Sequence, residues 1–452
     1  MTKYRTAPVP SAEMPSGIPN IIANEAAERF SFYGMRAILV VFMTRHLMDS
    51  SGRPDLMGED EAKACFHLFV SAVYMTPLLG AILSDGFLGK YRTIISLSLV
   101  YCLGHFALAA DDTRTGLVIG LGLIALGAGG IKPCVSGHVG DQFGQSNRHL
   151  ISTVFGAFYF AINLGAFASM LITPWLLDRF GSHAAFAVPG VLMLIATWVF
   201  WAGRYKFVHI PPGGIEFVRE TLSRSGLAQL GRLSVIYLFV AMFWALFDQN
   251  GSSWVLQAQK MDRVIFGFKI LPSQIQASNS LLILLLIPLF NLYLYPALGR
   301  LIRLTALRKI AIGMFVTCAA FGVATWIQTR IDAGDSPGIG WQILAYIVLT
   351  AAEVMVSVTC LEFSYTQAPR KMKSFIMAFF MMSIALGNLF TGVVNFFIQN
   401  EDGGSKLAGA SYFWFFTVLM FITAVLFLFV AERYREVTYI QDEQDRAFEV
   451  MQ

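Results

Sequence analysis

Charge is scarce in this 452-residue chain. Asp, Glu, Lys and Arg together make up 14% of it, against about a quarter of a typical soluble domain. That shortage excludes an ordinary water-soluble globule. Hydrophobic residues make up 56%, and they fall in runs of about 20, the length that crosses about 30 Å of hydrocarbon. A β-barrel is excluded as well, because its strands would alternate and be only about 10 residues long. The formal net charge of +4 is small, and the basic residues lie in short connections, so no nucleic-acid partner is indicated. Cysteine is sparse: Cys65, Cys102, Cys134, Cys318 and Cys360 form no CxxC and have no His at metal spacing. They read as free thiols beside apolar segments, not as a metal centre or a disulfide frame. A Ser-His-Asp setting, a metal cluster and a nucleotide loop are also missing, so the chain does not read as an enzyme and implies no cofactor. Nor is a cleavable signal peptide evident. The first apolar segment carries charges that a signal h-region lacks.

What is present is a series of apolar spans. Hydropathy places twelve, centred at about residues 33, 76, 101, 126, 161, 194, 241, 284, 317, 352, 385 and 421. The longest polar connection runs from Arg204 to Arg232 and divides the chain into an N-terminal bundle (1–203), a cytoplasmic linker (204–232) and a C-terminal bundle with a tail (233–452). Loop charges give the orientation. Arg204, Lys206, Arg219, Arg224 and Arg232 outnumber Glu216 and Glu220, and Arg300, Arg303, Arg308 and Lys309 stand without an acid. Arg370, Lys371 and Lys373 follow the tenth span. The opposite connections are acidic or mixed, as from Asp49 to Lys63. Both termini are therefore expected in the cytoplasm, with the chain in the plasma (cell or inner) membrane. One loop disagrees: Lys260, Asp262, Arg263 and Lys269 give the outer side a positive balance. Six spans plus six, joined by a cytoplasmic loop, suggest the major facilitator architecture. Gly80-Ala81-Ile82-Leu83-Ser84-Asp85-Gly86-Phe87-Leu88-Gly89-Lys90 resembles the loop that such proteins carry after span 2, with Gly86 where a basic residue is usual.

Charges inside the spans are the informative residues, since each costs roughly 2.5–3.5 kcal/mol at a bilayer centre by insertion scales. Glu25, Glu28 and Arg29 stand at i, i+3 and i+4, one face of a helix, and Tyr33 continues it. Lys132 lies in Gly127-Ala128-Gly129-Gly130-Ile131-Lys132-Pro133, where the glycines permit a close helix crossing. It either snorkels to the surface or pairs with a span-1 carboxylate such as Glu25. Tyr159 and Asn163 share a face in span 5, as do Trp244 and Asp248 in span 7. An asparagine both donates and accepts, which suits a peptide bond and equally suits interhelical bonding. Asn279 opens span 8, and Glu353 sits mid-way through span 10. His67 and Tyr74 are two turns apart on span 2. That histidine is either a proton carrier or a hydrogen-bonded core residue. Cations in one half (Arg29, Lys132) and carboxylates in the other (Asp248, Glu353) match the two ends of a zwitterion.

Several segments together resemble the proton-dependent oligopeptide transporter family. The first-helix pattern ExxERFxYYG appears from Glu25 to Gly34, with Phe32 for its first tyrosine. FYxxINxG appears from Phe158 to Gly165, and GGIKP from Gly129 to Pro133. Phe243 to Gly251 and Ser357 to Pro369 look like spans 7 and 10 of the animal peptide transporters. Phe380 stands where the family usually has tryptophan. The large extracellular domain of the animal proteins has no counterpart between Gln328 and Gly340. Arg204 to Arg232 is too short for the two extra helices of many bacterial relatives. The resemblance implies uptake of di- and tripeptides driven by protons, by a protein functional as a monomer. It implies that Arg29 and Lys132 hold the peptide C-terminus, Glu353 its ammonium, and Asn163 and Asn279 its amides. Tyr33, Tyr74, Tyr159 and Trp244 would shape the pocket, while Glu25, Glu28, His67, Lys132 and Asp248 would handle protons. Transport of another small anion, as in plant relatives that carry nitrate, and a non-transporting receptor remain the alternatives.

Overall fold

The computed structural model describes residues 4–214, 219, 223–367, 373–400 and 404–434. Glu216, Glu220, Arg370, Lys371 and the tail beyond Tyr434 lie outside the described residues. The chain is mostly helical, as its apolar runs require: in lipid, only a helix satisfies its own backbone groups without a neighbour. The N-terminal half holds α1 (Ile18–Arg45), α2 (Glu59–Ala81), α3 (Lys90–Ala110), α4 (Arg114–Gly140) and α5 (Ile151–Ala202). The second half holds α6 (Arg224–Phe247), α7 (Ser253–Gln259), α8 (Ala277–Leu289), α9 (Tyr295–Leu301), α10 (Ala306–Asp332), α11 (Gly340–Glu353), α12 (Thr359–Gln367), α13 (Lys373–Phe397) and α14 (Ala410–Arg433). A two-stranded hairpin, β1 (Val264–Ile265) and β2 (Phe268–Lys269), lies between α7 and α8.

Local chemistry sets several helix ends. Glu59, Asp60 and Glu61 fill the first turn of α2, where negative charge meets the positive end of the dipole. Thr113 Oγ1 accepts from Gly116 N at 3.3 Å and caps α4, and Thr305 Oγ1 does the same for Arg308 N at 3.3 Å on α10. Three helices widen into π turns, at Ile82–Leu88, Phe290–Leu294 and Val354–Val358. The first two follow Pro77 and Pro288, which withhold a backbone donor from the helix. The third begins immediately after Glu353.

Among the described residues, ten helices are long and apolar enough to cross a membrane, fewer than the twelve spans expected. Two features account for the difference. The 28-residue α1 carries Glu25, Glu28, Arg29 and Arg36, which lower its hydropathy. The 52-residue α5 runs through two expected spans and breaks only at Gly181, whose φ of 79° and ψ of −177° no helix has.

Two large apolar clusters form the core. One gathers Phe32, Phe42, Phe66, Tyr101, Phe186 and Phe200 of the first half. The other gathers Phe243, Trp254, Phe321, Tyr346, Phe416 and Phe427 of the second. The polar contacts between the halves gather where α1 ends and α2 begins. There Lys260 Nζ lies 2.9 Å from Glu59 Oε1, Arg45 Nη2 donates to Gln259 Oε1 at 2.6 Å, and Lys63 Nζ stands 4.1 Å from the centre of the Tyr412 ring. These contacts latch the two halves together at that end.

Candidate functional site

The face of α1 that carries Glu25, Glu28 and Arg29 is buried inside the first half. Arg29 Nε lies 2.7 Å from Glu25 Oε1 and 2.9 Å from Glu28 Oε2, so one guanidinium bridges both carboxylates. Glu28 is fully buried, and a charge in that position persists only when paired.

Lys132 reaches this cluster because α4 crosses α2 closely. A Cβ at Gly80 would run into the Gly130 backbone, and one at Gly129 into the Val73 carbonyl and Thr76. Thr76 Oγ1 uses that proximity to donate to Ala125 O at 2.8 Å. The Lys132 ammonium is buried, neither snorkelling to the surface nor paired with Glu25. It has no hydrogen-bond partner among the described residues. Instead it stands over two rings, 4.1 Å from the centre of Phe32 and 5.3 Å from that of Tyr74. Phe32, where the resembling pattern has tyrosine, thus offers a π face to a cation that lacks a counter-ion. Tyr33 and Tyr74 are half-buried beside this group, and the Phe32 and Tyr33 rings lie 5.4 Å apart.

In the second half, Glu353 is held by α8. Asn279 Nδ2 donates to Glu353 Oε2 at 2.8 Å and to Thr350 Oγ1 at 3.0 Å. No cation pairs with Glu353 among the described residues. Asn163, Tyr159 and Trp244 form no hydrogen bond or ion pair with these charges among the described residues. Asn163 Nδ2 donates to the Tyr159 carbonyl at 3.0 Å, one turn back, while the Tyr159 ring is exposed. Trp244 packs its indole on Phe243 and Phe247, and its Nε1 has no hydrogen-bond partner among the described residues. Phe380 is buried, 5.8 Å from the Tyr237 ring.

A second charged group straddles the halves. Arg36 Nη2 lies 2.5 Å from Asp248 Oδ1. Asn388 Nδ2 donates to Asp248 Oδ2 at 2.6 Å. The other end of that amide, Asn388 Oδ1, lies 2.8 Å from His67 Nδ1, and His67 Nε2 lies 2.8 Å from Ser252 Oγ. A carboxylate only accepts, so the amide nitrogen must face Asp248 and the amide oxygen must face His67. The histidine proton therefore sits on Nδ1, leaving Nε2 to accept from the Ser252 hydroxyl. Asn388 thus joins Asp248 and His67 in one buried group, although the sequence places them on separate faces with Trp244 and Tyr74. Arg36, Asn388 and Ser252 were not singled out from the sequence. Arg36 had a signal, being seven residues, or two turns, beyond Arg29 on the same helix. Asn388 had none, because its partners lie 140 and 321 residues away.

The cysteines are all free. Among the described residues, no group of three His, Cys, Asp or Glu could hold a metal ion.

Spanning helices in two packed clusters, with charges buried between apolar walls, define a multi-pass helical membrane protein. The profile of the POT family matches residues 91–224 and 219–415, and the chain belongs to that family. It is 37% identical over 397 residues to solute carrier family 15 member 2 of Rattus norvegicus, an alignment covering 77% of this chain and 53% of the rat protein. The chain spans about half the length of the curated relatives it matches. Among solved structures, it resembles an auto-inhibited POT family peptide transporter with TM-score 0.85 and 38% identity, over 95% of this chain and 99% of that one. A proton-dependent oligopeptide (POT) family transporter matches with TM-score 0.77 and 38% identity, over 91% and 100%.

Proposed function

We propose that this chain is a proton-coupled symporter that imports di- and tripeptides by alternating access. One observation carries the reading: opposite charges without an ion-pair partner among the described residues lie in the two halves, Lys132 in the first and Glu353 in the second. A zwitterion bridging the halves supplies both missing partners, its carboxylate toward Arg29 and Lys132 and its ammonium toward Glu353. Asn163 and Asn279 would then meet peptide amides, with Tyr33, Tyr74, Tyr159 and Trp244 as pocket walls. Charge-assisted hydrogen bonds of this kind are roughly twice as strong as neutral ones.

The latched end supplies the proton step. With Asp248 ionised, Arg36 is neutralised and the halves are tied. Protonating Asp248 removes the charge that pairs Arg36 and turns one of its two acceptor oxygens into a donor, so Arg36 and Asn388 cannot both keep their bonds. Protonating His67 at Nε2 turns it from acceptor to donor, so that Ser252 must reverse its hydroxyl. Either event loosens the latch. Glu25 and Glu28, which share one Arg29, are the acceptors for a proton moving inward, and Arg29 is the cation that such a transfer would release to the peptide, beside Lys132. No cofactor enters this cycle.

The architecture proposed with it has twelve spans: α1, the two arms of α5 around Gly181, and the nine others. The bundles are 1–203 and 233–452, joined by a cytoplasmic linker at 204–232. The protein would act as a monomer in the plasma membrane, with both termini cytoplasmic and the latched end outward. Uptake into proteoliposomes under an imposed pH gradient tests the reading. Concentrative uptake of labelled dialanine, competed by tripeptides and not by free alanine or nitrate, is the expected result. Uptake of nitrate alone, or binding without transport, would sink it.

A further inference from the structure

The one loop whose charge opposed the orientation has a structural setting that explains it. Lys260 is neutralised by Glu59, but Arg263 and Lys269 pair with no carboxylate among the described residues. They line a cavity of about 330 Å³ at the latched end, where the hairpin of the second half meets α1 and α5 of the first. Arg45 and His46 close it from the other side, and Asp178 is the single carboxylate in its lining.

The cationic groups there are poorly compensated. Arg263 Nη1 donates to the Ile270 carbonyl at 3.1 Å, while its Nε is buried with no partner among the described residues. Arg45 spends one nitrogen on Gln259. Neither Lys269 nor Asp178 forms an ion pair among the described residues. Burial, and next the charge of Arg45, hold Arg263 below the usual arginine value. Burial and then Arg45 likewise lower His46, with Asp178 opposing. With His46 neutral, three cations face one carboxylate and leave two positive charges across a seam between the halves. Like charges brought together at such a seam oppose its closure unless an anion sits among them.

We infer that this cavity is a binding site for a dianionic phosphate monoester, which joins the two halves at the latched end. Arg263 and Lys269 contribute from one half and Arg45 from the other. Arginine's planar fork suits phosphate oxygens in a way that a lone ammonium does not. Val41, Leu177 and Leu271 give the cavity an apolar wall, so the phosphate could belong to a lipid headgroup or to a soluble ester. The inference goes beyond the transport reading and does not depend on it.

The test uses the full chain in nanodiscs and reads its thermal midpoint and ligand affinity. One arm compares phosphatidylcholine discs with discs containing phosphatidic acid. The other adds glycerol 3-phosphate to phosphatidylcholine discs. Stabilisation by phosphatidic acid alone assigns the site to a lipid, and stabilisation by glycerol 3-phosphate as well assigns it to the phosphate itself. Each lost charge-assisted contact should weaken binding roughly ten- to hundredfold. The shift should therefore shrink in Lys269→Gln and vanish in Arg263→Gln/Lys269→Gln, while the outer-loop control Arg330→Gln keeps it. If the double variant does not fold, Lys269→Gln alone decides, since that side chain is exposed. No shift in the wild type, or an equal shift in every variant, would overturn the inference.

Discussion

His67 has both ring nitrogens engaged, and its tautomer follows from a chain of donors and acceptors that begins at Asp248. Replacing it by Gln retains hydrogen-bonding capacity and removes a titrating group. If it carries a proton, His67→Gln should flatten the pH dependence of driven uptake between about pH 5 and 8, where histidine normally titrates. Gradient-free exchange of peptide should survive. An unchanged pH profile would leave His67 as a hydrogen-bonded core residue. Glu353 offers a separate test, because its only partner among the described residues is the Asn279 amide. Glu353→Gln keeps size and loses charge. A hydrogen bond to a charged group is worth about 1.5–3 kcal/mol, so affinity for free dipeptides should fall roughly ten- to hundredfold. N-acetylated dipeptides, which lack the ammonium, should bind wild type and variant alike. Equal losses for both ligands would remove Glu353 from ammonium recognition. At this scale the sequence was legible where partners are local. The i, i+3, i+4 spacing of Glu25, Glu28 and Arg29 yields their contact directly. The Arg36–Asp248 pair joins residues 212 apart, and helix periodicity carries no information over that distance. Lys132 shows a different limit: its burial could be argued from cost, but its seat on Phe32 depends on how α2 and α4 cross.

That crossing is a property of elements, and glycine makes it. Gly80 and Gly122 both lie in helices, yet their surroundings differ. A Cβ at Gly80 collides with the Gly130 backbone, whereas nothing lies within 4 Å of one at Gly122. Alanine is favoured over glycine in a helix by about 1 kcal/mol, and overpacking costs about 1–3 kcal/mol. Gly122→Ala should therefore hold or raise the thermal midpoint in detergent, and Gly80→Ala should lower it. Gly80→Ala should also weaken dipeptide binding, because Lys132 would be pushed off its rings. A tolerated Gly80→Ala would mean that the close crossing does not position the lysine. The spans themselves were legible from apolar runs of membrane length. The point where α5 breaks between two of them was less so, because Gly181 is one glycine among 39. Its positive φ between two helical arms marks the break.

For the whole molecule, the latch ties the two apolar clusters together at the α1–α2 end. The latch contains interactions of unequal weight. Lys260–Glu59 is half exposed, and such pairs contribute about 0–1 kcal/mol. Arg36–Asp248 is buried, and removing one partner of a buried pair costs about 3–5 kcal/mol. Asp248→Asn should therefore shift the molecule away from the latched state, and Glu59→Gln should leave it there. Paired spin labels at Ser50 and Val264, with the native cysteines replaced, would read the difference. A narrow, unshifted distance in Asp248→Asn would show that packing of α2 on α13 holds the latch instead.

The charges lying mid-span have a further, electrical consequence. With all carboxylates ionised, Glu25 and Glu28 cancel Arg29 and Lys132, and Asp248 cancels Arg36. Glu353 is left over as a single negative charge. A zwitterionic peptide adds nothing to that sum, and one proton brings it to zero. The loaded carrier would then cross as a neutral body, and the empty carrier as an anion. A membrane potential works on charge alone, about 2.3 kcal/mol per elementary charge per 100 mV. A negative interior would thus drive the return of the empty carrier and leave the inward stroke untouched. Voltage jumps applied without peptide should produce transient currents that saturating dipeptide at low pH suppresses. Transients that persist under load would place the moving charge elsewhere.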